Sequence, residues 1–244
     1  MNAPAINLFG DQIAASRVGA RFAAMDAAAL LRLAMTDLYP GRIALVSSFG
    51  ADSAVLAHMV AEIARKAPVV FIDTGHLFPE TIAYRDRLVD LLKLENVVTQ
   101  GPDPAALAAR DAEAFLWSGD PDACCALRKV EPLAAALAGC DAWITGRKRF
   151  QSATRAALPL FEADGAHVKV NPLAAWGMAD VVAYLDKHDL PRHPLVAKGY
   201  PSIGCIPCTS PVKPGEDPRA GRWRGRAKTE CGIHTQPLHA GQDI

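Results

Sequence analysis

Five of the six cysteines in this 244-residue chain stand where their spacing invites chemistry. Cys124 and Cys125 are neighbours, Cys205 and Cys208 form a CxxC, and Cys231 stands in Glu230-Cys231-Gly232-Ile233-His234. Thiolates are soft ligands, and sulfurs at i and i+3 can turn toward one centre. The two pairs can therefore jointly enclose an iron-sulfur cluster or a zinc ion. Cys231 remains for chemistry, in polar, Gly-containing, cation-rich surroundings that argue against burial. Six cysteines in 244 residues are too sparse for a disulfide framework. Met1 to Gly19 also lacks the basic flank and apolar run of a secretory leader, so a reducing cytoplasm is expected. Cys140 matches no motif and lies near Leu133 and Leu137, which reads as a core thiol. His58, His76, His167, His188, His193 and His239 show no ligand spacing.

A second chemical signal is Ser47-Ser48-Phe49-Gly50-Ala51-Asp52-Ser53, between an apolar strand and an apolar helical pattern. Backbone N–H groups and the positive end of the helix dipole can hold a phosphate there. No Gly-Lys-Ser/Thr follows Gly50, so nucleotide binding is expected without classical ATP hydrolysis. Asp52 and Ser53 read as helix caps.

The elements that must position these residues alternate. Arg42–Ser47, Val69–Ile72, Val97–Thr99 and Ala142–Thr145 read as strands, and Val55–Ile63 and Pro79–Leu92 as helices. Ala27–Leu38 and Met178–His188 are further helices, and the Ala-rich runs near Ala105 and Ala134 are good helix formers. Strands alternating with helices predict an α/β fold: a parallel twisted sheet covered on both faces, with ligands at the carboxyl ends of the strands. Half of the residues are hydrophobic, enough for one sizeable core. Residues 1–208 read as one α/β domain, and 209–244 as a loop-rich, mobile tail carrying Cys231.

Charge and hydropathy exclude some partners. Lys plus Arg equals Asp plus Glu at 26 each, so no overall field favours nucleic acid. No stretch approaches the roughly 20 apolar residues of a membrane span. The tail is locally basic: of Lys213, Arg219, Arg222, Arg224, Arg226 and Lys228, the last three are expected to be solvated.

Taken in order, several motifs resemble the assimilatory adenylyl-sulfate reductases of the phosphoadenylyl-sulfate reductase family. They are the serine-rich loop, Ile72-Asp73-Thr74-Gly75, Cys124-Cys125-Ala126-Leu127-Arg128-Lys129, Gly146 with its basic run and Arg155, Gly204-Cys205-Ile206-Pro207-Cys208-Thr209, and Glu230-Cys231-Gly232-Ile233-His234. The resemblance covers about Arg42 to His234 and implies an adenine-nucleotide alpha-hydrolase-like fold of the ATP pyrophosphatase type. It further implies one [4Fe-4S] cluster on Cys124, Cys125, Cys205 and Cys208, and adenylyl sulfate as substrate. Cys231 is then the nucleophile, forming an S-sulfocysteine that thioredoxin or a similar dithiol protein reduces. A thiolate suits attack on an electrophilic sulfur with AMP as leaving group.

His234 is expected to orient or activate Cys231, and Lys129 to lie between cluster and substrate. Ser47, Ser48 and Gly50 are expected to face the phosphosulfate, with Arg128, Arg155, Arg219 and Arg222 as anion donors. Ile72 and Gly146 offer backbone contacts to the adenosine. Ser210 stands where the family often has Arg, which weakens any inference at that position. The alternatives are a 3'-phosphoadenylyl-sulfate reductase, a structural zinc module and an ATP-dependent tRNA-thiolating enzyme. The last calls for a fuller Ser-Gly-Gly loop and a broad basic surface, neither of which is evident. A homo-oligomer remains open.

Overall fold

A computed structural model describes residues 11–234. The chain enters through α1 (Gln12–Arg21) and α2 (Ala27–Leu33), the latter opened by the Asp26 carboxylate accepting from the Ala29 N–H at 2.7 Å. A π-helical turn, Ala34–Leu38, extends α2 toward the sheet. Then follow β1 (Ile43–Val46), α3 (Ser53–Ile63), β2 (Val69–Ile72), α4 (Pro79–Leu92) and β3 (Val97–Gln100). Four short helices come next: α5 (Pro104–Arg110), α6 (Leu116–Gly119), α7 (Pro121–Cys125) and, after a π-helical turn at Ala126–Val130, α8 (Glu131–Ala136). β4 (Ala142–Ile144), β5 (Phe161–Asp164), β6 (His167–Val170) and α9 (Met178–Lys187) complete the regular elements.

The six strands lie in the order β3-β2-β1-β4-β6-β5, all parallel except β5, which pairs antiparallel with β6. β1 and β2 are unbroken apolar runs, Ile-Ala-Leu-Val and Val-Val-Phe-Ile, as strands covered on both faces must be. One face carries the larger core, where Leu45, Phe71 and Ile144 meet α2, α3 and α9 through Leu30, Val60 and Leu185. The other is smaller: Ala44, Val70 and Trp143 pack on Leu133 and Leu137 near α8. Among the described residues no helix is long and apolar enough to cross a membrane.

The α/β architecture expected from the alternation is present. The β5–β6 hairpin was not expected, because its strands are polar. Lys169 lies buried between Asp164, at 2.9 Å, and Glu162, at 3.3 Å. The two-residue connection Gly165-Ala166 uses Gly165 at φ +62°, which glycine adopts without steric cost. The parallel sheet therefore ends in an antiparallel edge.

Chain order reverses between β1 and β4. β1 hands the chain toward β2 on one side, while β4 lies on its other side, so a crevice opens above their carboxyl ends. The loops after these two strands form the site.

Candidate active site

The loop after β1 turns sharply. Phe49 adopts φ +45°, and its N–H donates to Ser47 Oγ at 3.2 Å. A left-handed bulky residue costs energy, which is offset here by complete burial of the ring edge-on against Phe71, 5.5 Å between centroids. The turn brings Ser47, Ser48 and Gly50 to the start of α3. Asp52 makes no capping hydrogen bond, contrary to the expectation; its carboxylate instead accepts from Lys148 Nζ at 3.0 Å, tying this loop to the one after β4.

A cavity of about 250 Å³ lies above these loops, near the lower end of the roughly 300–1,000 Å³ typical of ligand sites. Ser47, Ser48, Gly50, Ile72, Gly146, Arg155, Arg219, Arg222, Lys129, Cys231 and His234 all line it. Of the residues expected there, Arg128 is the exception. Its guanidinium donates to Asp111 at 2.6 and 2.9 Å and to the Thr74 carbonyl at 2.8 Å, which places it beside the cysteine pairs rather than in the larger cavity.

The cations differ in how free they are. Arg155 grips Glu230 with two prongs, both 2.7 Å, and donates its remaining nitrogen to Gln151. Arg219 donates to the Thr229 carbonyl at 3.0 Å and to Glu230 at 3.3 Å; burial pulls its pKa down to about 10, so it stays charged at neutrality. Arg222 lies over the Trp223 ring at 4.4 Å, and its Nε is buried with no hydrogen-bond partner. A Cβ on Gly204 would sit 2.3 Å from Arg222 Nη2, so a larger residue there would displace the guanidinium from this position.

Lys129 lines both this cavity and a smaller one, which Cys124, Cys125, Cys205 and Cys208 share with Thr74 and Trp223. Burial opposes its charge, yet Cys205, Cys231 and Cys125 raise its pKa above the ordinary lysine value. Cys124 and Cys125 end α7, while Cys205 caps and Cys208 ends a 3-10 turn at Ile206–Cys208. The Leu77–Cys205 bridge brings that turn to the loop after β2. Burial, then the neighbouring Cys205, pushes the Cys124 thiol up to about 11, and burial raises Cys208 also.

Three buried soft donors and the half-buried Cys208, lining one small cavity beside cations, suit a metal cluster, because loss of their protons requires a compensating positive centre. Among the described residues, no group of three or more His, Cys, Asp or Glu is gathered closely enough to hold a metal ion as it stands.

Cys231 is half-buried and lies against Cys125. The Cys125 thiol, Lys129, the Ile233 N–H and Arg222 together outweigh burial and hold the Cys231 thiol well below its ordinary value. His234 does not reach the thiol as expected. Its ring stacks on Trp143, 5.9 Å between centroids and 10° from parallel, and its Nδ1 is buried without a partner. Burial and then Arg147 and Arg155 keep that imidazole neutral. Its backbone N–H donates to the Cys231 carbonyl at 2.9 Å, closing the last turn, while Ile233 packs in the cluster around Trp143.

Two tail cations expected in solvent are engaged. Lys228 pairs with Asp122, and Arg226 donates to the Trp117 carbonyl at 2.7 Å, so both bind the segment that carries Cys124 and Cys125. Arg224 is exposed as expected, with Glu216 at 2.8 Å. Among the lining residues that sequence reasoning did not single out are Trp143, Arg147 and Gln151. Of these, Arg147 alone carried a signal, as part of the Gly146-Arg147-Lys148-Arg149 run.

The comparisons with known proteins agree with this geometry. A profile of the phosphoadenosine phosphosulfate reductase domain matches residues 42–211. Relatives called adenosine 5'-phosphosulfate reductase include one from Mesorhizobium japonicum, 53% identical over 93% of this chain and 91% of its own. Another, from Streptomyces coelicolor, is 43% identical over 90% of this chain and 93% of its own. A relative from Gloeobacter violaceus called phosphoadenosine 5'-phosphosulfate reductase is 44% identical over 79% of this chain and 82% of its own. A phosphoadenylyl-sulfate reductase structure from Candida auris superposes with TM-score 0.69 at 27% identity, covering 83% of this chain and 98% of that one. The Candida glabrata FMN adenylyltransferase with ATP shares the fold alone, with TM-score 0.55 at 18% identity over 96% and 80% of the two chains. With the family domain matched over residues 42–211 and a relative 53% identical over 93% of its length, this chain belongs to the phosphoadenosine phosphosulfate reductase family.

Proposed function

We propose that this chain reduces adenylyl sulfate to sulfite and AMP in sulfate assimilation, with Cys231 as nucleophile. One observation carries this reading: the Cys231 thiol lines one cavity with Lys129, Arg222 and the Ser47, Ser48 and Gly50 loop at a helix N-terminus.

The phosphosulfate lies against Ser47, Ser48 and Gly50, and the adenosine against the backbone at Ile72 and Gly146. Arg222, with its orphaned Nε, and Lys129 face the sulfate. The Cys231 thiolate attacks the sulfur. The S–O bond to the phosphate breaks, AMP leaves with the electron pair, and Cys231 carries an S-sulfonate. A dithiol protein of the thioredoxin kind then attacks the Cys231 sulfur and expels sulfite as a two-electron leaving group. Its second thiol resolves the mixed disulfide and restores Cys231. His234 holds the turn through its backbone, with no proton transfer assigned to its ring.

Cys124, Cys125, Cys205 and Cys208 would hold one [4Fe-4S] cluster in this reading, which would supply a structural clip whose net negative charge Lys129 would offset. With Cys125 as a ligand the hydrogen bond from its thiol is lost, and Lys129, the Ile233 N–H and Arg222 are the groups that still favour the Cys231 thiolate. The tail must leave its dock for the dithiol partner to reach Cys231.

Relatives called adenosine 5'-phosphosulfate reductase at 53% identity support the substrate lacking a 3'-phosphate. Sulfite formation assayed with adenylyl sulfate and with its 3'-phosphorylated form, in the presence of thioredoxin, tests the reading. Turnover of the first well above the second is expected; turnover of the 3'-phosphorylated form alone contradicts it.

A further inference from the structure

Glu230 immediately precedes Cys231 and is the most heavily coordinated carboxylate of the tail. Arg155 Nε donates to Oε1 and Nη2 to Oε2, both at 2.7 Å; Arg219 Nη2 reaches Oε2 at 3.3 Å. Ser152 and Thr154 hydroxyls add contacts to Oε1 at 3.3 and 3.4 Å. Glu230 is 9% exposed and Arg155 is 8% exposed, so the pair is shielded from water. Bidentate Arg–carboxylate pairs fix geometry as well as position.

We propose that Glu230 is the positioning residue of this site: clamped by Arg155 and Arg219, it seats residues 230–234 so that Cys231 faces Lys129 and the nucleotide loop. The inference rests on Cys231 being the nucleophile. Arg155 then acts on the reaction through Glu230. Its bidentate face is already occupied, which leaves Lys129 and Arg222 to meet the sulfate.

A charged clamp suits a segment that must dock and leave. A buried ion pair contributes little net stability over an apolar contact, because water solvates both partners well once they separate. The clamp therefore sets register at low cost to release. The rest of the dock is small: Ile233 packs beside Trp143, and a Cβ on Gly232 would come within 3.1 Å of Val130. Neither contact lies on the N-terminal side of Cys231, where Lys228 on Asp122 and Arg226 on the Trp117 carbonyl hold the tail further back and Glu230 is the clamp adjoining the thiol.

The test compares wild type, Glu230→Gln and Glu230→Asp in the cofactor-replete protein. The first readout is the rate of Cys231 alkylation by a neutral reagent without substrate, read peptide by peptide. Glu230→Gln is expected to raise it about tenfold or more, and Glu230→Asp, which keeps the charge and shortens the reach, to raise it by less. The second is single-turnover chemistry: S-sulfonate formation slows about tenfold in Glu230→Gln, while sulfite release from preformed adduct by thioredoxin does not slow. A purely structural role would slow both halves alike. Retained AMP binding shows an intact cavity; should Glu230→Gln lose it, Glu230→Asp decides. Alkylation equal to wild type in an AMP-binding variant overturns the proposal. Failure of wild type to form any adduct defeats the nucleophile assignment instead, and the alkylation result, which uses no substrate, separates the two failures.

Discussion

Cys124, Cys125, Cys205 and Cys208 share one corner of the molecule with Cys231, yet Cys124 and Cys208 are pushed in the opposite direction to Cys231. Burial and mutual proximity raise Cys124 to about 11, and burial raises Cys208. Cys231 touches the same corner, where a hydrogen bond from Cys125, then Lys129, a backbone N–H and Arg222 lower it. The difference is one of company. Burial holds the Cys124 and Cys208 thiols up, whereas Cys231 is lowered by the hydrogen bond from Cys125 and by the cations beside it. Lys129, in the wall of both cavities, is where the two regions meet.

Replacing single residues breaks this contrast in a graded way. Cys231→Ser is expected to abolish sulfite formation, by on the order of 10⁴-fold or more, while iron content and AMP affinity stay near wild type. Iron analysis, equilibrium binding and a sulfite assay on one preparation check all three. Cys124→Ser is expected to do the reverse in kind: loss of the brown chromophore after anaerobic purification and a fall in Tm of roughly 10 °C or more. A colourless, zinc-loaded wild type would overturn the cluster assignment and keep the clip. Lys129→Ala is expected to slow Cys231 alkylation at neutral pH by about tenfold, the effect of one pKa unit, with iron retained. An unchanged rate would remove Lys129 from the contrast.

The smallest effect is a control outside both regions. His193, under Thr81 at 3.1 Å and edge-on to Tyr84, is lowered by burial from 6.5 to about 4. Its depressed folded value means that the unfolded chain binds the extra proton. The neutral ring's contribution is therefore complete above about 6.5 and is lost as pH falls toward about 4. This is on the order of 2–3 kcal/mol. Tm measured between neutrality and about pH 4 should fall less steeply in His193→Gln than in wild type. Equal slopes would place the acid sensitivity elsewhere and complicate any pH profile of Cys231.

Much of the site was legible because its signals are local. The apolar run of β1 followed by Ser47, Ser48 and Gly50 announces a strand, a turn and a helix N-terminus without tertiary information. The cysteine pairs are equally visible, since soft donors at close spacing in a chain with too few cysteines for a disulfide framework read as a metal site. What stayed hidden depends on partners distant in sequence. Lys169 reads as a surface residue until Glu162 and Asp164 fold back over it, which is why the β5–β6 hairpin escaped despite its Asp164-Gly165 turn signal. Arg128 follows the vicinal cysteines and reads as a substrate donor. Asp111, seventeen residues earlier, captures it. Glu230 was quoted in its motif without a role, because nothing local shows that Arg155, seventy-five residues away, closes on it.

The central claim is that a single thiolate in the nucleotide cavity takes the sulfonate from adenylyl sulfate. Peptide mass spectrometry after incubation with adenylyl sulfate and no reductant tests it most directly. The account predicts one SO₃ group on the peptide containing Cys231, none on those containing Cys124, Cys125, Cys205 or Cys208, and discharge of the adduct as sulfite when thioredoxin is added. Sulfite released by thioredoxin with the Cys231 peptide never modified would contradict it.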